Sequence, residues 1–314
     1  MTYGLLLLLF VGAPIVALAA LLGRARRRAH GASGGAWRRA AAVTLLLLMG
    51  VATAYTFPWD NHLIATGVWW YNPALVSGIA ISHVPLEELL FFPLQTLLVG
   101  LWGMWMTQQF EAAAIPVSGG ARQCRANGWG RRIVPALGTA LWLLGALVLL
   151  TGWRHGVYLG WELVWAIPPL LLQALVGGDI LWSQRRLIVG IIAPVTLYLS
   201  CVDALAIHMG IWTISPRQSL SVLLFGALPI EELLFFTLTT TLVACGLVLG
   251  IATESRQRIR ALYAGLRGYR AYPLDGRFQQ SPPANSSAAL DSSPARQASP
   301  GEPHAAARSA PPAR

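Results

Sequence analysis

The chain has 314 residues, of which 55% are hydrophobic and 11% are charged, and its formal net charge is +10. Soluble domains carry about 25% charged residues, so this composition excludes an ordinary water-soluble enzyme and indicates an integral membrane protein. All 23 basic residues are Arg, which excludes mechanisms that need a lysine, such as a retinal Schiff base or a phosphate-binding P-loop. The three widely spaced cysteines predict neither a disulfide framework nor a zinc site.

Seven apolar segments are each near or above the roughly 20 residues that a helix needs to cross a bilayer. They cover residues 3–23, 40–57, 74–107, 133–151, 163–182, 187–207 and 219–252. The third and the seventh are too long for one straight span, so we expect a break at Pro85 and at Pro229. The sequence therefore predicts an all-α integral membrane protein with seven transmembrane helices.

Arginine is distributed unevenly between alternate loops. The loops at 24–39, 108–132 and 183–186 contain twelve Arg, whereas the loops on the opposite side contain only Arg154 and Arg217. By the positive-inside rule, the N-terminus then lies outside and the C-terminus in the cytoplasm. The predicted location is the cell (cytoplasmic) membrane, in multi-pass form.

Two motifs occur twice along the chain. The first, D-x6-G-[VI]-W-x3-P, begins at Asp60 and again at Asp203, an offset of 143 residues. The second, P-[LI]-E-E-L-L-F-F, covers residues 85–92 and 229–236. A three-span unit ends on the side opposite to its start, so the extra fourth span is needed to give both copies the same orientation. The prediction is two parallel three-helix repeats joined by a linker helix.

Four segments follow from this pattern. They are a first repeat at 1–112, a cytoplasmic loop plus linker helix at 113–155, a second repeat at 156–252 and a tail at 253–314. The tail is basic and rich in Pro, Ser and Ala, so we expect it to be largely disordered, with a basic helix on the membrane surface at 254–270. Basic flanks of membrane helices bind anionic lipid, an interpretation that we favour over nucleic-acid binding.

The doublets Glu87-Glu88 and Glu231-Glu232 are the main candidates for chemistry. A Pro followed by acidic residues is also a common helix start, which the helix dipole favours. However, the residues before each Pro are apolar as well, so the carboxyl groups lie within an apolar stretch. An acidic residue costs at least about 2.5 kcal/mol at the bilayer centre and is a functional candidate by default. We therefore predict that all four are catalytic.

Each of these Glu residues has a Phe four positions later, about one helical turn away. These are Phe91, Phe92, Phe235 and Phe236. A buried carboxylic acid can stay protonated, two neighbouring carboxyl groups can divide into an acid and a base, and an aromatic face stabilises a passing cation. The combination suits proton-initiated carbocation chemistry on an apolar substrate.

Four further residues recur at fixed spacing and are predicted to support the site, although helix-end and interfacial roles would also explain them. They are Asp60, Asp203, Trp69 and Trp212. His83 stands four residues before Glu87 and could share a helix face with it, but the corresponding residue of the second copy is Ala227. Glu162 and Asp179 flank the fifth span and are interpreted as boundary residues.

Several familiar motifs are missing from the chain. No G-x-G-x-x-G follows a predicted strand, and neither D-D-x-x-D nor H-E-x-x-H occurs. These motifs would hold a dinucleotide, a magnesium diphosphate and a zinc ion, respectively. The sequence therefore predicts no cofactor and no metal.

Together, the doubled P-[LI]-E-E-L-L-F-F, the D-x6-G-[VI]-W loops and the seven-span layout resemble the membrane-integral lycopene cyclases of the heterodimeric type. In that family two three-span polypeptides form the enzyme, and fused forms carry both on one chain, as this sequence looks to do. The resemblance covers roughly residues 1–252 and leaves out the tail. The fungal bifunctional relatives also carry a phytoene synthase domain, which we do not expect in this chain.

The resemblance implies a lycopene beta-cyclase, an isomerase (intramolecular lyase) of carotenoid biosynthesis. Such an enzyme turns the ψ ends of lycopene into β-ionone rings, giving γ-carotene and β-carotene, by redox-neutral acid–base chemistry without a cofactor; loss of a different proton would give an ε or γ ring. The implied partners are lycopene or a related acyclic carotenoid, membrane lipid and, as a further possibility, other membrane enzymes of the pathway. The family's Glu doublets map onto Glu87, Glu88, Glu231 and Glu232, with acid and base roles open.

Two alternatives remain open at this point. One is a cyclase of the same family that acts on C50 carotenoids. The other is a small secondary transporter, because transporters also use parallel repeats and intramembrane carboxyl groups. A transporter would be expected to have a polar lining on several spans, whereas the polar residues here are concentrated on two spans and followed by Phe.

Overall fold

The computed structural model describes residues 1–28, 35–112 and 128–252, together with Ser255, Gln257 and Arg258. All of these residues fall within one unit, Met1–Gly268. The surface helix predicted at 254–270 and the disorder predicted for the rest of the tail lie outside the described residues, apart from those three positions.

The described residues are mostly helical. The first helix consists of α1 (Tyr3–Leu7), a π turn (Leu8–Gly12) and α2 (Ala13–Arg28). Six more helices follow: α3 (Gly35–Ala65), α4 (Leu86–Ala112), α5 (Gly128–Leu150), α6 (Val157–Ser183), α7 (Arg185–His208) and α8 (Ile230–Ile251). A 3-10 turn, Arg154–Gly156, precedes α6.

Six helical segments of the described chain are long and apolar enough to cross a membrane. They are Tyr3–Ala25, Trp37–Ala65, Leu86–Phe110, Arg154–Ser183, Arg185–His208 and Ile230–Ile251. The apolar part of α5, Val134–Leu150, is shorter. The protein is therefore a multi-pass, helical membrane protein, as the composition predicts.

The expected breaks at Pro85 and Pro229 are confirmed, but the predicted helical bounds 74–107 and 219–252 are wrong in their first part. The residues before α4 form a hairpin of β2 (Ala80–Ile81) and β3 (Val84–Pro85), and those before α8 form a hairpin of β5 (Leu223–Leu224) and β6 (Leu228–Pro229). An apolar run alone does not distinguish a strand from a helix. The doublets consequently stand in the first turns of α4 and α8.

The hairpin also contradicts the face predicted for His83. This residue lies in the turn between β2 and β3, where its backbone N–H donates to Asn61 Oδ1 at 3.0 Å. Because Glu87 belongs to α4, the two residues do not share a helix face.

The D-x6-G-[VI]-W motif ends a helix and starts a strand. Gly67 has φ +72° and Gly210 has φ +67°, a conformation that favours glycine just after a helix. The next backbone N–H groups, of Val68 and Ile211, donate back to the helical carbonyls of Leu63 and Ala206, and both side chains are fully buried. The Trp of each motif is therefore the first residue of a strand, β1 (Trp69–Tyr71) or β4 (Trp212–Ile214).

Strands β1 and β4 pair with each other in antiparallel register. Trp70 lies opposite Thr213, and these two residues occupy the same position of the two sequence copies. The ladder extends equally at both ends, where Ser215 N–H donates to Val68 O at 2.8 Å and Asn72 N–H donates to Ile211 O at 2.9 Å. The two motif copies therefore meet through a self-complementary contact, as in a symmetric dimer interface.

Two prolines each release a helical carbonyl that a tyrosine then satisfies. A proline has no N–H to donate to the residue four positions earlier, so Pro14 leaves Phe10 O free and Pro169 leaves Trp165 O free. Tyr198 Oη donates to Phe10 O at 2.7 Å, and Tyr55 Oη donates to Trp165 O at 2.9 Å. Such rescue matters in a membrane, where water does not reach the backbone.

Helices α4 and α8 contact each other at the centre, with α3 and α7 packed on both of them; α2 contacts α4, α6 contacts α8, and α5 packs on α6. The contact between α5 and α6 depends on small residues. A Cβ atom at Gly145 would stand 2.7 Å from Leu163 Cβ and 3.0 Å from the carbonyl oxygen of Gly160. Neither atom is the end of a flexible side chain, so the two helices would have to separate.

We predict that Gly145→Leu destabilises the protein by about 1–3 kcal/mol through overpacking, seen as a lower thermal midpoint in detergent. The matched control is Gly50→Leu on α3, because nothing lies within 4 Å of a Cβ atom at that position. Equal midpoints for the two variants would contradict the close α5–α6 contact.

Candidate active site

A cavity of about 60 Å³ lies between the starts of α4 and α8 and the ends of α3 and α7. Ten of the twelve residues predicted for the site line it: Asp60, Trp69, Glu88, Phe91, Phe92, Asp203, Trp212, Glu232, Phe235 and Phe236. The structure thus brings matching residues of both sequence copies to one place. Glu87 and Glu231 do not line the cavity.

The first Glu of each doublet holds the loop that precedes its helix. Glu87 accepts hydrogen bonds from Ser77 N–H at 2.5 Å and from Ser77 Oγ at 3.1 Å. At the corresponding positions, Glu231 accepts from Leu220 N–H at 2.6 Å. Both carboxyl groups are buried. They connect the first helical turn to the loop, which is the structural role that a helix start predicts.

The second Glu of each doublet points into the cavity and meets a tyrosine. Tyr3 Oη donates to Glu88 Oε2 at 2.5 Å, and Tyr158 Oη donates to Glu232 Oε1 at 2.8 Å. These phenols stand at the starts of α1 and α6, and the backbone N–H of each tyrosine donates to a loop carbonyl, of Leu75 or Gln218. Each cavity carboxyl group is therefore held in a defined position by a neutral donor.

The two tyrosines were missed in the sequence, although a signal exists. The pattern Y-x6-[FW]-x3-P begins at Tyr3 and again at Tyr158, and it contains the prolines whose released carbonyls are described above. Its two copies are 155 residues apart, whereas the longer motifs repeat at 143. The weak, differently spaced match lies within apolar helices, where it is easily overlooked.

Four carboxyl groups face the cavity without a cation. None of the described residues that line it is Arg or His. Oδ2 of Asp60 and Oδ2 of Asp203 have no hydrogen-bond partner among the described residues, and both side chains are buried. An unpaired carboxylate is costly in such a setting, so the site favours carboxyl groups that carry a proton.

Aromatic rings form most of the remaining wall. Phe235 packs edge-to-face on Phe236 at 5.2 Å, and Phe91 contacts Phe236 in the same way at 6.3 Å. Trp59, a residue that the motifs did not predict, stacks on Phe235 at 5.9 Å. The π faces of such rings stabilise positive charge, so the cavity can hold a cation that its own acids create.

Tyr71 lies on β1 beside Tyr3, with ring centroids 6.0 Å apart. Burial raises the pKa of its phenol well above the ordinary value of 10.0, and the nearby Glu88 carboxyl group adds to the increase. Tyr71 therefore keeps its proton and is a further neutral donor at the first half of the site.

The interpretation of Glu162 as a boundary residue is wrong. Its side chain is fully buried in α6, one turn after Tyr158, and neither carboxyl oxygen has a partner among the described residues. It lies near enough to Glu232 and Glu231 for electrostatic interaction. The corresponding residue of the first helix is Leu7. Asp179, in contrast, is half-exposed and binds Arg258 through two hydrogen bonds of 2.8 and 2.6 Å.

We predict that Glu162→Leu stabilises the protein, because it removes an unpartnered buried polar group that costs about 1–3 kcal/mol. The thermal midpoint in detergent should rise. Glu87→Leu is the matched comparison, and it should lower the midpoint because Ser77 loses its acceptor. A lower midpoint for Glu162→Leu would mean that this carboxyl group stabilises the fold.

Comparison with known proteins identifies the family. The family model for lycopene cyclase matches residues 1–106. The chain is 39% identical over 239 residues to a lycopene beta-cyclase of Halobacterium salinarum, covering 76% of this chain and 91% of that protein. It is 34% identical over 208 residues to a bifunctional lycopene cyclase/phytoene synthase of Gibberella fujikuroi, covering 65% of this chain and 34% of that protein.

A similar protein of the same description from Phaeosphaeria nodorum is 36% identical over 214 residues, which is 65% of this chain and 35% of the relative. No solved structure matches the chain significantly. The identity and coverage of the Halobacterium relative are high enough to show common membership, and they agree with the resemblance carried by the repeated motifs. The chain therefore belongs to the lycopene cyclase family.

Proposed function

We propose that this protein is a lycopene beta-cyclase, which converts the ψ end groups of lycopene into β-ionone rings in the membrane and so produces γ-carotene and β-carotene. The observation that carries the proposal is the cavity in which Glu88 and Glu232 face aromatic walls, with no Arg or His among the described residues that line it. The substrate is inferred from the Halobacterium relative, which is a lycopene beta-cyclase. The reaction is an isomerisation, of the intramolecular lyase class.

The reaction needs a proton donor, a proton acceptor and shelter for a cation. One carboxyl group adds its proton to the terminal alkene and leaves a tertiary cation on the neighbouring carbon. The next double bond attacks that cation and closes a six-membered ring, which moves the charge to a ring carbon. A carboxylate then removes a proton beside it, giving the ring double bond. One proton enters and one leaves, so no electrons are exchanged and the chemistry requires neither flavin nor nicotinamide.

Glu88 and Glu232 are the residues that we assign to these proton transfers. Each faces the cavity and is positioned by a phenol donor, Tyr3 or Tyr158. The aromatic wall is provided by Phe91, Phe92, Phe235, Phe236, Trp69 and Trp212. The carboxyl groups of Asp60 and Asp203 support the site from the ends of α3 and α7. Positioning general acids and bases accounts for rate gains of about 10²–10⁴-fold.

Glu87 and Glu231 receive a different assignment. Their hydrogen bonds go to the loops at Ser77 and Leu220, so we propose that they are positioning residues. They would set the first turns of α4 and α8, and with them the direction of the adjacent catalytic carboxyl groups.

We also propose that the protein has seven spans in two parallel three-helix repeats, with the α5 helix as linker and segments at 1–112, 113–155, 156–252 and 253–314. The support is that contacts recur between corresponding residues: Tyr3 with Glu88 and Tyr158 with Glu232, Phe10 with Tyr198 and Trp165 with Tyr55. The arginine asymmetry supports an outside N-terminus and a cytoplasmic C-terminus in the cell membrane.

The test of function is expression in a lycopene-accumulating bacterium, followed by pigment analysis. The wild-type chain should form cyclised carotenoids, and the purified protein should do so without added flavin or nicotinamide. Glu88→Gln and Glu232→Gln keep size and shape but remove the transferable proton, so each should reduce ring formation by about 10²-fold or more at normal membrane levels.

Leu90→Ile is the control, because this residue of α4 is exposed and lies outside the cavity. Glu87→Gln and Glu231→Gln should reduce activity less than the changes at Glu88 and Glu232, because an amide oxygen still accepts from the loop. If conversion stayed near wild type in both Glu88→Gln and Glu232→Gln, the acid–base assignment would be refuted.

The topology is tested by reporter fusions at residues 30, 120 and 260, all of which we expect to report the cytoplasmic side, because the loops that carry most of the Arg lie there. A fusion after residue 153, between α5 and α6, should report the opposite side. A periplasmic signal at 120 would exclude the parallel arrangement of the repeats.

A further inference from the structure

A second cavity, of about 110 Å³, lies beside the active site between α3, α4, α6 and α8. On α3 it extends from Leu48 to Thr56 and on α8 from Phe235 to Val243, about 12 Å in each helix at 1.5 Å per residue. It therefore runs along the helices, away from the carboxyl groups. No part of the acid–base mechanism uses it.

The second cavity adjoins the catalytic one. Phe92 and Phe235 line both cavities, so the two spaces share part of their wall. A stack of aromatic residues follows the same boundary: Tyr55 lies on Trp165 at 5.9 Å, Trp165 on Trp59 at 4.5 Å, and Trp59 on Phe235 at 5.9 Å. The two cavities are therefore adjacent, with aromatic side chains at their boundary.

The second cavity also reaches the outer surface of the bundle. Its wall includes Val51 and Tyr55, which are 63% and 43% exposed. Both residues are in the middle of α3, a helix long enough to span the membrane, so the surface beside them faces lipid. An apolar molecule in the bilayer can thus approach the active site without crossing water.

The wall of the second cavity consists mainly of apolar and aromatic side chains, with a few polar ones. Two of its polar side chains donate to the protein itself: Gln95 Nε2 to Thr239 Oγ1 at 2.8 Å, and Gln173 Nε2 to the carbonyl of Leu242 at 2.9 Å. Gln173 Oε1 has no partner among the described residues. Such a wall makes few demands on a ligand for hydrogen bonds. It suits a long hydrocarbon chain.

Two positions of the second cavity have larger counterparts in the other half. Ala52 and Thr56 line the second cavity, whereas the corresponding residues of α7 are the larger Val195 and Leu199, both buried. At these two positions α3 leaves more space than α7 does. A substrate with one reacting end and one long chain needs such an asymmetry, because its chain must leave the catalytic cavity in one direction.

We infer that the second cavity binds the conjugated chain next to the reacting end of the acyclic carotenoid, and that this end enters the active site from the bilayer between α3 and α6. The inference rests on the proposed function for the identity of the ligand. In this arrangement the end group lies beside the carboxyl groups of the catalytic cavity, and the second cavity aligns the polyene along the helices.

The test fills the cavity and measures bound lycopene in a background that does not consume it. In Glu232→Gln protein, Ala52→Leu and Val243→Phe each place extra carbon atoms in the cavity. One extra methylene group in an apolar pocket changes affinity by about tenfold or more. The amount of lycopene that is retained per purified protein should therefore decrease by about tenfold or more in both variants. Leu47→Phe is the control, because Leu47 is exposed on the same helix and does not line the cavity.

In the otherwise wild-type chain, the same fillings should raise KM for lycopene more than they lower kcat, because the carboxyl groups are untouched. Unchanged lycopene retention in both filled variants with a wild-type thermal midpoint would overturn the inference, as would a loss of kcat at unchanged KM. Failure of the proposed function has a different signature: the wild-type chain would form no cyclised carotenoid, whatever the state of the cavity.

Discussion

The structure depends on four carboxyl groups that face one internal cavity and are not paired with a cationic side chain of the described residues. Glu88, Glu232, Asp60 and Asp203 all face one cavity whose described lining contains no Arg or His. Neutral phenols take the place of counter-ions: Tyr3 and Tyr158 each donate to one cavity Glu. A phenol fixes the direction of a carboxyl group but does not oblige it to be ionised, so the group remains available as an acid.

The rest of the fold serves to place these groups. The tyrosines must begin their helices at the correct depth, which the backbone hydrogen bonds to Leu75 and Gln218 ensure. The doublets must begin theirs at the cavity edge, which the hairpins before Pro85 and Pro229 bring about. The pairing of β1 with β4 then joins the two sets. Each device is local, but all of them converge on the same small space.

The two halves share the contacts described above, but some of their corresponding residues differ. Glu162 adds a third carboxyl group near Glu231 and Glu232, where the first half has Leu7. Ala52 and Thr56 leave space where the second half has Val195 and Leu199. An enzyme that cyclises one end of a long molecule needs one acid, one base and one exit for the chain. The residues that differ between the two halves are therefore the ones that we expect to distinguish the acid, the base and the exit for the chain.

The sequence by itself determined the membrane class and the helical breaks at the two prolines. It also identified most of the site, because ten of the twelve residues predicted from it line the cavity. These features depend on composition and on rare polar residues repeated at fixed spacing, which are local properties of the chain. Only the tertiary structure divided each Glu doublet into a cavity member and a loop-holding member, because that depends on which way each first turn faces. It also added Tyr3, Tyr158 and Trp59 to the site and buried Glu162. These contacts join residues that lie far apart in the chain, which local spacing does not predict, and the one pattern shared by Tyr3 and Tyr158 is too weak to stand out in an apolar sequence.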